Sequence, residues 1–134
     1  MSKHFDKLQI LSITHNKIGV QGVITVAECL PKLKQLTTLD LSHDEIGDQG
    51  ICELVKELDN CNLNLMELDL SGNCIGKNFT FFSKYCEILI HYLAGSSIQT
   101  MCLGFNNLRG CTNGLLDKLL LCFNEMASLK TLDL

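Results

Sequence analysis

Apolar residues recur along the chain in two alternating rhythms. The first reads L-x-x-L-x-L-x-x-N-x-I and is filled by Leu8, Leu11, Ile13, Asn16 and Ile18. It returns as Leu36, Leu39, Leu41, Asp44 and Ile46, then as Leu65, Leu68, Leu70, Asn73 and Ile75. A fourth copy uses Ile98, Met101, Leu103, Asn106 and Leu108, and a fifth opens with Leu129, Leu132 and Leu134. Successive copies start 28, 29, 33 and 31 residues apart. Steps of two put alternate side chains on opposite faces. The pattern therefore predicts strands over Gln9–Thr14, Thr37–Ser42, Met66–Ser71 and Gln99–Gly104, parallel and in sequential order. The second rhythm spaces apolar residues three or four, one and three apart, which is one face of a helix. Gly22, Val26, Ala27 and Leu30 follow it in the first unit, and Gly50, Leu54, Val55 and Leu58 in the second. Cys86, Leu89, Ile90 and Leu93 follow it in the third, and Leu116, Leu119, Leu120 and Phe123 in the fourth. Pro31 and Gly95 stand where the first and third helices should stop.

One such unit cannot bury its apolar face alone, so neighbours must stack. The reading is one domain over residues 1–134: four repeats, starting near 8, 36, 65 and 98, plus the first strand of a fifth near 129. Leu36-Thr37-Thr38-Leu39-Asp40-Leu41-Ser42 followed by Ile46-Gly47-Asp48-Gln49-Gly50, and the regular copy Leu65 to Asn73, resemble the leucine-rich-repeat family. The 28- and 29-residue units resemble its ribonuclease-inhibitor-like subfamily. The resemblance covers the chain from about Leu8 to Leu134. It implies an α/β solenoid, a right-handed β-α superhelix forming a curved horseshoe segment, with a parallel sheet on the concave face. The longer third and fourth units depart from the subfamily's length.

Within that frame each repeated column has a physical task. Asn16, Asn73 and Asn106 close a strand where the backbone turns, and an amide can both donate to and accept from the groups the turn strands. Asp44 takes the same position with a carboxylate, which when ionised only accepts; it must be protonated, find two donors, or loosen its turn. The outward strand positions are the place for a site, because such folds host sites rather than dictate them. They form three columns: Ile10, Thr38, Glu67, Thr100 and Thr131; Ser12, Asp40, Asp69, Cys102 and Asp133; and Thr14, Ser42, Ser71 and Gly104. The expected binding face is Ser12, Thr14, Thr38, Asp40, Ser42, Glu67, Asp69, Ser71, Thr100, Cys102 and Asp133. Asp40, Asp69 and Glu67 lie close together there, and like charges on adjacent strands repel. A partner protein with a basic surface would relieve that cost.

Composition and charge narrow the classes. With 46% hydrophobic and 19% charged residues the chain is globular rather than disordered. A net charge of -4 and a single arginine, Arg109, argue against nucleic acid. No apolar run approaches the length of a spanning helix, and no signal peptide is visible, so the expectation is no membrane and a cytoplasmic site, the host cytoplasm for a secreted effector. None of the eight cysteines forms a C-x-x-C pair, and most lie in apolar runs where a reduced thiol acts as a small hydrophobe. His15 and His43 are 28 residues apart at equivalent positions and should stack. They lack a third ligand of fixed geometry, so neither metal nor cofactor is expected. Phe79, Phe81 and Phe82 should fill the enlarged third unit. There is no G-x-S-x-G, Walker loop or HExxH motif, no feature pairs His91 with a cysteine, and no catalytic residue is assigned.

These readings converge on a non-enzymatic protein-protein interaction module that binds on the concave sheet. The alternative is the repeat region of a larger sensor, an immune-receptor-like protein or a host-mimicking effector. A GTPase-activating accessory, a role some members of the subfamily have, ranks third because no matching residue set is visible. Leu132-Asp133-Leu134 stops in mid-strand without a polar cap, which leads to one more expectation: a longer repeat protein, or end-to-end self-association.

Overall fold

The computed structural model describes residues 5–110 and 114–134, with the side chains at 79–85, 110 and 115 outside the description. Four β-α units and a final strand follow one another: β1 (Ile10–Ser12), α1 (Gly19–Cys29), β2 (Thr38–Asp40), α2 (Gly47–Cys61), β3 (Glu67–Asp69), α3 (Phe79–Ala94), β4 (Thr100–Cys102), α4 (Leu115–Glu125) and β5 (Thr131–Asp133). The sheet is parallel throughout and its order is the order of the sequence. Register is unbroken: Leu11, Leu39, Leu68, Met101 and Leu132 align across all five strands.

The strands are half the expected length, and the hydrogen bonds explain it. Pairing continues on both sides of each three-residue strand, with Thr37 N donating to Gln9 O at 2.8 Å before β2 and Leu41 N to Asp69 O at 3.0 Å after it. The His43 amide extends the same ladder to Ser71 O at 2.8 Å. The backbone at His43 has already turned to a positive φ of 57°, so the bonds persist while the extended conformation does not.

The inward side chains form the core. Leu39, Leu68 and Met101 are buried in the middle of the sheet, whereas Leu11 and Leu132 at its edges are half-buried. Leu41, Leu70 and Leu103 form a second layer, and Ile46 and Ile75 a third. The helices cover these layers, and their main contacts run α1 to α2, α2 to α3 and α3 to α4. Gly50 makes one of these contacts possible: a Cβ there would lie 2.4 Å from Ile46 Cγ2 and 2.8 Å from Val23 Cγ1 of α1. Parallel strands sit about 4.8 Å apart and packed helices about 8–10 Å, so the sheet takes the inside of the curve. α1 ends at Cys29, one turn of 3-10 helix containing Pro31 follows, and α3 ends at Ala94 just before Gly95, as the sequence predicts.

Candidate functional site

The outward face of the sheet is built by the same alternation that builds the core. In register, Ser12, Asp40, Asp69, Cys102 and Asp133 form one column, and Ile10, Thr38, Glu67, Thr100 and Thr131 the column beside it. Ser12, Glu67 and Asp133 are exposed, and Thr14, Thr38, Asp40, Asp69, Thr100 and Cys102 are half-buried. Ser42 and Ser71 are not available: their exposures are 7% and 8%. Sequence alternation puts them on the binding face, but the turn draws them under it. Each fixes a carboxylate instead. Ser42 donates to Asp40 Oδ1 from its amide at 3.0 Å and its hydroxyl at 2.7 Å. The Ser71 amide donates to Asp69 Oδ1 at 2.9 Å, and its hydroxyl does the same. Thr14 is likewise engaged, its hydroxyl 2.8 Å from the Ser42 hydroxyl and 2.7 Å from His15 Nδ1. The Ser12 hydroxyl donates to Asp40 Oδ2 at 3.2 Å.

The result is two carboxylates, Asp40 and Asp69, held in place by short local bonds, with Glu67 and Asp133 beside them. Among the described residues the ion pairs are Lys17–Glu45, Lys56–Glu53 and His91–Asp59, and none involves Asp40, Glu67, Asp69 or Asp133. The Cys102 thiol registers their field. Burial raises its pKa first, and the carboxylates of Asp69, Asp133, Asp40 and Glu67 raise it further. Such a thiol stays protonated and is a poor nucleophile. None of the seven described cysteines is in a disulfide, and Cys111 lies outside the described residues. Cys29 and Cys74 are exposed, unlike the small buried hydrophobes that the apolar runs suggest.

After β3 and β4 the asparagine column acts as predicted, whereas Asn16 after β1 is exposed and its side chain donates to Thr14 O at 3.0 Å. Asn73 Oδ1 accepts from the amides of Asp44 and Ile46 at 2.9 and 3.3 Å, and its Nδ2 donates to Leu41 O at 2.7 Å and to Leu70 O and Ser71 O at 3.2 Å each. Asn106 repeats the set one layer on, accepting from the amides of Asn73 and Ile75 and donating to Leu70 O and Leu103 O. Asp48 adds a bracket that sequence reasoning missed. It is buried, its Oδ1 accepts from Gly76 N at 2.6 Å, and its Oδ2 accepts from Asn78 N at 2.8 Å. The second repeat thereby holds the turn that leads into α3.

His15 and His43 do stack, with ring centroids 4.5 Å apart and planes inclined by 19°. Sequence reasoning stopped at that pair, but the column continues. His15, His43, Gly72 and Phe105 occupy the same turn position, all with φ between 56° and 66°. The available signal was the residue just before each ladder asparagine or aspartate. Among the described residues no group of three or more His, Cys, Asp or Glu side chains is arranged to hold a metal. His91 is exposed and lies 3.9 Å from Asp59. The expected core role of Phe79, Phe81 and Phe82 lies outside the described side chains.

The stacked β-α units, unbroken register and polar ladder make this a leucine-rich-repeat solenoid. The family model described as Leucine Rich repeat matches residues 7–27, 33–55 and 61–78, the first two repeats and the start of the third. No curated protein matches the chain by sequence. Among solved structures it is similar to the tropomodulin C-terminal domain of Caenorhabditis elegans, with a TM-score of 0.76 and 16% identity, over 99% of this chain and 77% of that one. At that identity the likeness concerns the fold. Repeat folds of this kind generally serve protein-protein interaction. No described helix is long and apolar enough to cross a membrane.

Proposed function

We propose that this protein is a non-enzymatic interaction module, acting in the cytoplasm, whose outward sheet face binds a basic surface of another protein. One observation carries the reading: Asp40, Glu67, Asp69 and Asp133 share one face, and no described cation pairs with them. Two of the four carboxylates are already oriented by serine hydroxyls and amides, so a partner need not order them, and that preorganisation favours affinity. Complementary charge also speeds encounter and suppresses wrong partners. Affinity capture from lysate tests the reading, comparing the wild type with an Asp40→Lys/Glu67→Lys/Asp69→Lys variant. A basic protein should be retained by the wild type and lost by the variant. Equal capture by both would place binding elsewhere.

A second surface supports end-to-end self-association. The first repeat leaves an apolar groove of about 490 Å³, lined by Phe5, Leu8, Leu11, Ile13 and Val26 among others. A further repeat layer fits it, and the strand edges of β1 and β5 are parallel partners in the right order for a second copy. Sedimentation velocity over a concentration series should show reversible dimers or longer chains, and a monomer at every concentration would end this reading. The sensor, effector and GTPase-activating readings make no use of either surface beyond ordinary protein binding.

A further inference from the structure

The most exposed large apolar side chain in the described structure is not at either end. Phe105 is 85% exposed and stands on the rim where β4 turns toward the helix side. Its φ of 56° is left-handed, a conformation that costs a bulky residue roughly 1–2 kcal/mol. Its ring continues a row. His15 stacks on His43, and the His43 ring leans over Gly72 so closely that a Cβ at 72 would lie 2.1 Å from its Nδ1. Because Gly72 leaves that space, the His43 ring reaches within 6.0 Å of the Phe105 centroid, inclined by 45°. Three rings thus line one rim across four repeats.

This row runs beside the carboxylates in fixed register. Each ring position lies three residues after the middle outward column: His43 after Asp40, Phe105 after Cys102. At the fourth turn the two features come within one residue of each other in the chain. The Asp133 carboxylate covers Gly104, with Oδ2 3.0 Å from where a Cβ would stand, and Phe105 is the next residue. An ammonium group is a compact, strongly hydrated point charge, so it pairs with such a carboxylate but gains less from the ring beside it. A guanidinium is planar, stacks on aromatic faces and offers a fork of donors to a carboxylate at the same time. The gap between His43 and Phe105 is too small to admit a plane, which needs about 3.5 Å on each side. The exposed face of Phe105 is the platform.

We propose that the aromatic rim is the specificity element of this face, and that the partner presents an arginine whose guanidinium stacks on Phe105 and pairs with Asp133. The inference rests on the reading of the sheet face as a basic-partner site and adds a choice of arginine over lysine. The partner segment is extended, since the carboxylates stand in one row across the sheet, on β2, β3 and β5.

The test uses the full chain and two fluorescent extended peptides of equal charge, one alternating arginine with serine and one alternating lysine with serine, in anisotropy titrations at 0.15 M salt. The wild type should bind the arginine peptide roughly two- to fivefold more tightly than the lysine peptide, the range a ring-guanidinium contact supplies at an exposed site. Phe105→Asn, whose side chain suits a left-handed backbone, should remove that preference and leave lysine-peptide binding unchanged; Phe105→Tyr should keep it. Asp40→Asn/Asp69→Asn should weaken both peptides alike. Equal affinity of the wild type for the two peptides, or the same loss of both in Phe105→Asn, overturns the arginine anchor while the acidic face stands. Failure of both peptides to bind, or indifference to Asp40→Asn/Asp69→Asn, overturns the acidic face itself. Circular dichroism confirms that each variant is folded.

Discussion

The second and third turns of the solenoid have the same backbone course and differ in one ladder side chain. At the third, Asn73 supplies acceptors to two amides and protons to three carbonyls. At the second, Asp44 is fully buried, its Oδ1 accepts from Asn16 N at 2.7 Å, and its Oδ2 has no partner among the described residues. The carboxylate puts an oxygen where the third and fourth turns have a donating nitrogen. Of the three outcomes the sequence allowed for Asp44, two donors is the one this geometry removes. The turn nevertheless keeps its shape, because Asn73 holds Asp44 N from the next layer and Ser71 O holds His43 N. Neighbouring repeats therefore impose a conformation that the residue at its centre does not fully support.

Four variants sharpen or break that comparison. The largest effect should come from the apolar layer beneath both turns: Leu68→Ala should cost about 2–5 kcal/mol in chemical denaturation, the range for a buried leucine that leaves a cavity. A cost below about 1 kcal/mol would mean that the layer, not the ladder, is the minor term. Next, Asn73→Asp should convert the third turn to the state of the second, removing donors from three carbonyls, and cost about 1–3 kcal/mol. Asp44→Asn should do the reverse, raising stability by about 1 kcal/mol and moving the urea midpoint upward. A fall in the midpoint would show that Asp44 has support the comparison denies it. The smallest effect should be at the outward column, where Asp69→Asn should change stability by no more than about 0.5 kcal/mol. The same variant weakens the field on Cys102, so alkylation of that thiol, followed by peptide mass spectrometry, should accelerate roughly twofold.

Much of the fold is legible because its signals are periodic. Leu39, Leu68 and Met101 carry the strand alternation, Leu54, Val55 and Leu58 the helix face, and stacking makes each copy confirm the last. The face was legible to the level of columns. What escaped was set by the turn. Alternation alone places Ser42 and Ser71 outside, because it assumes an extended chain, yet the backbone at the next residue is left-handed and tucks them beneath their aspartates. Phe105 was passed over because Gly72 interrupts the aromatic column, and only the reach of the His43 ring across that gap joins the two ends. Asp48 was hidden for a different reason: its partners are backbone amides of the following repeat, which no side-chain motif advertises.

The constant register has a consequence for how such a molecule can change its length. The step from the third copy to the fourth is 33 residues against 28 for the first, yet β3 and β4 pair as β1 and β2 do. The surplus sits on the helix side, where α3 has 16 residues and α1 has 11. Insertions there leave the columns of the sheet aligned, while a single residue added within a strand would turn every later side chain to the wrong face. Duplication of a whole unit would then add one matched rung to the leucines, the ladder and the outer face together, so the molecule can grow by copying a part of itself without inventing a new one.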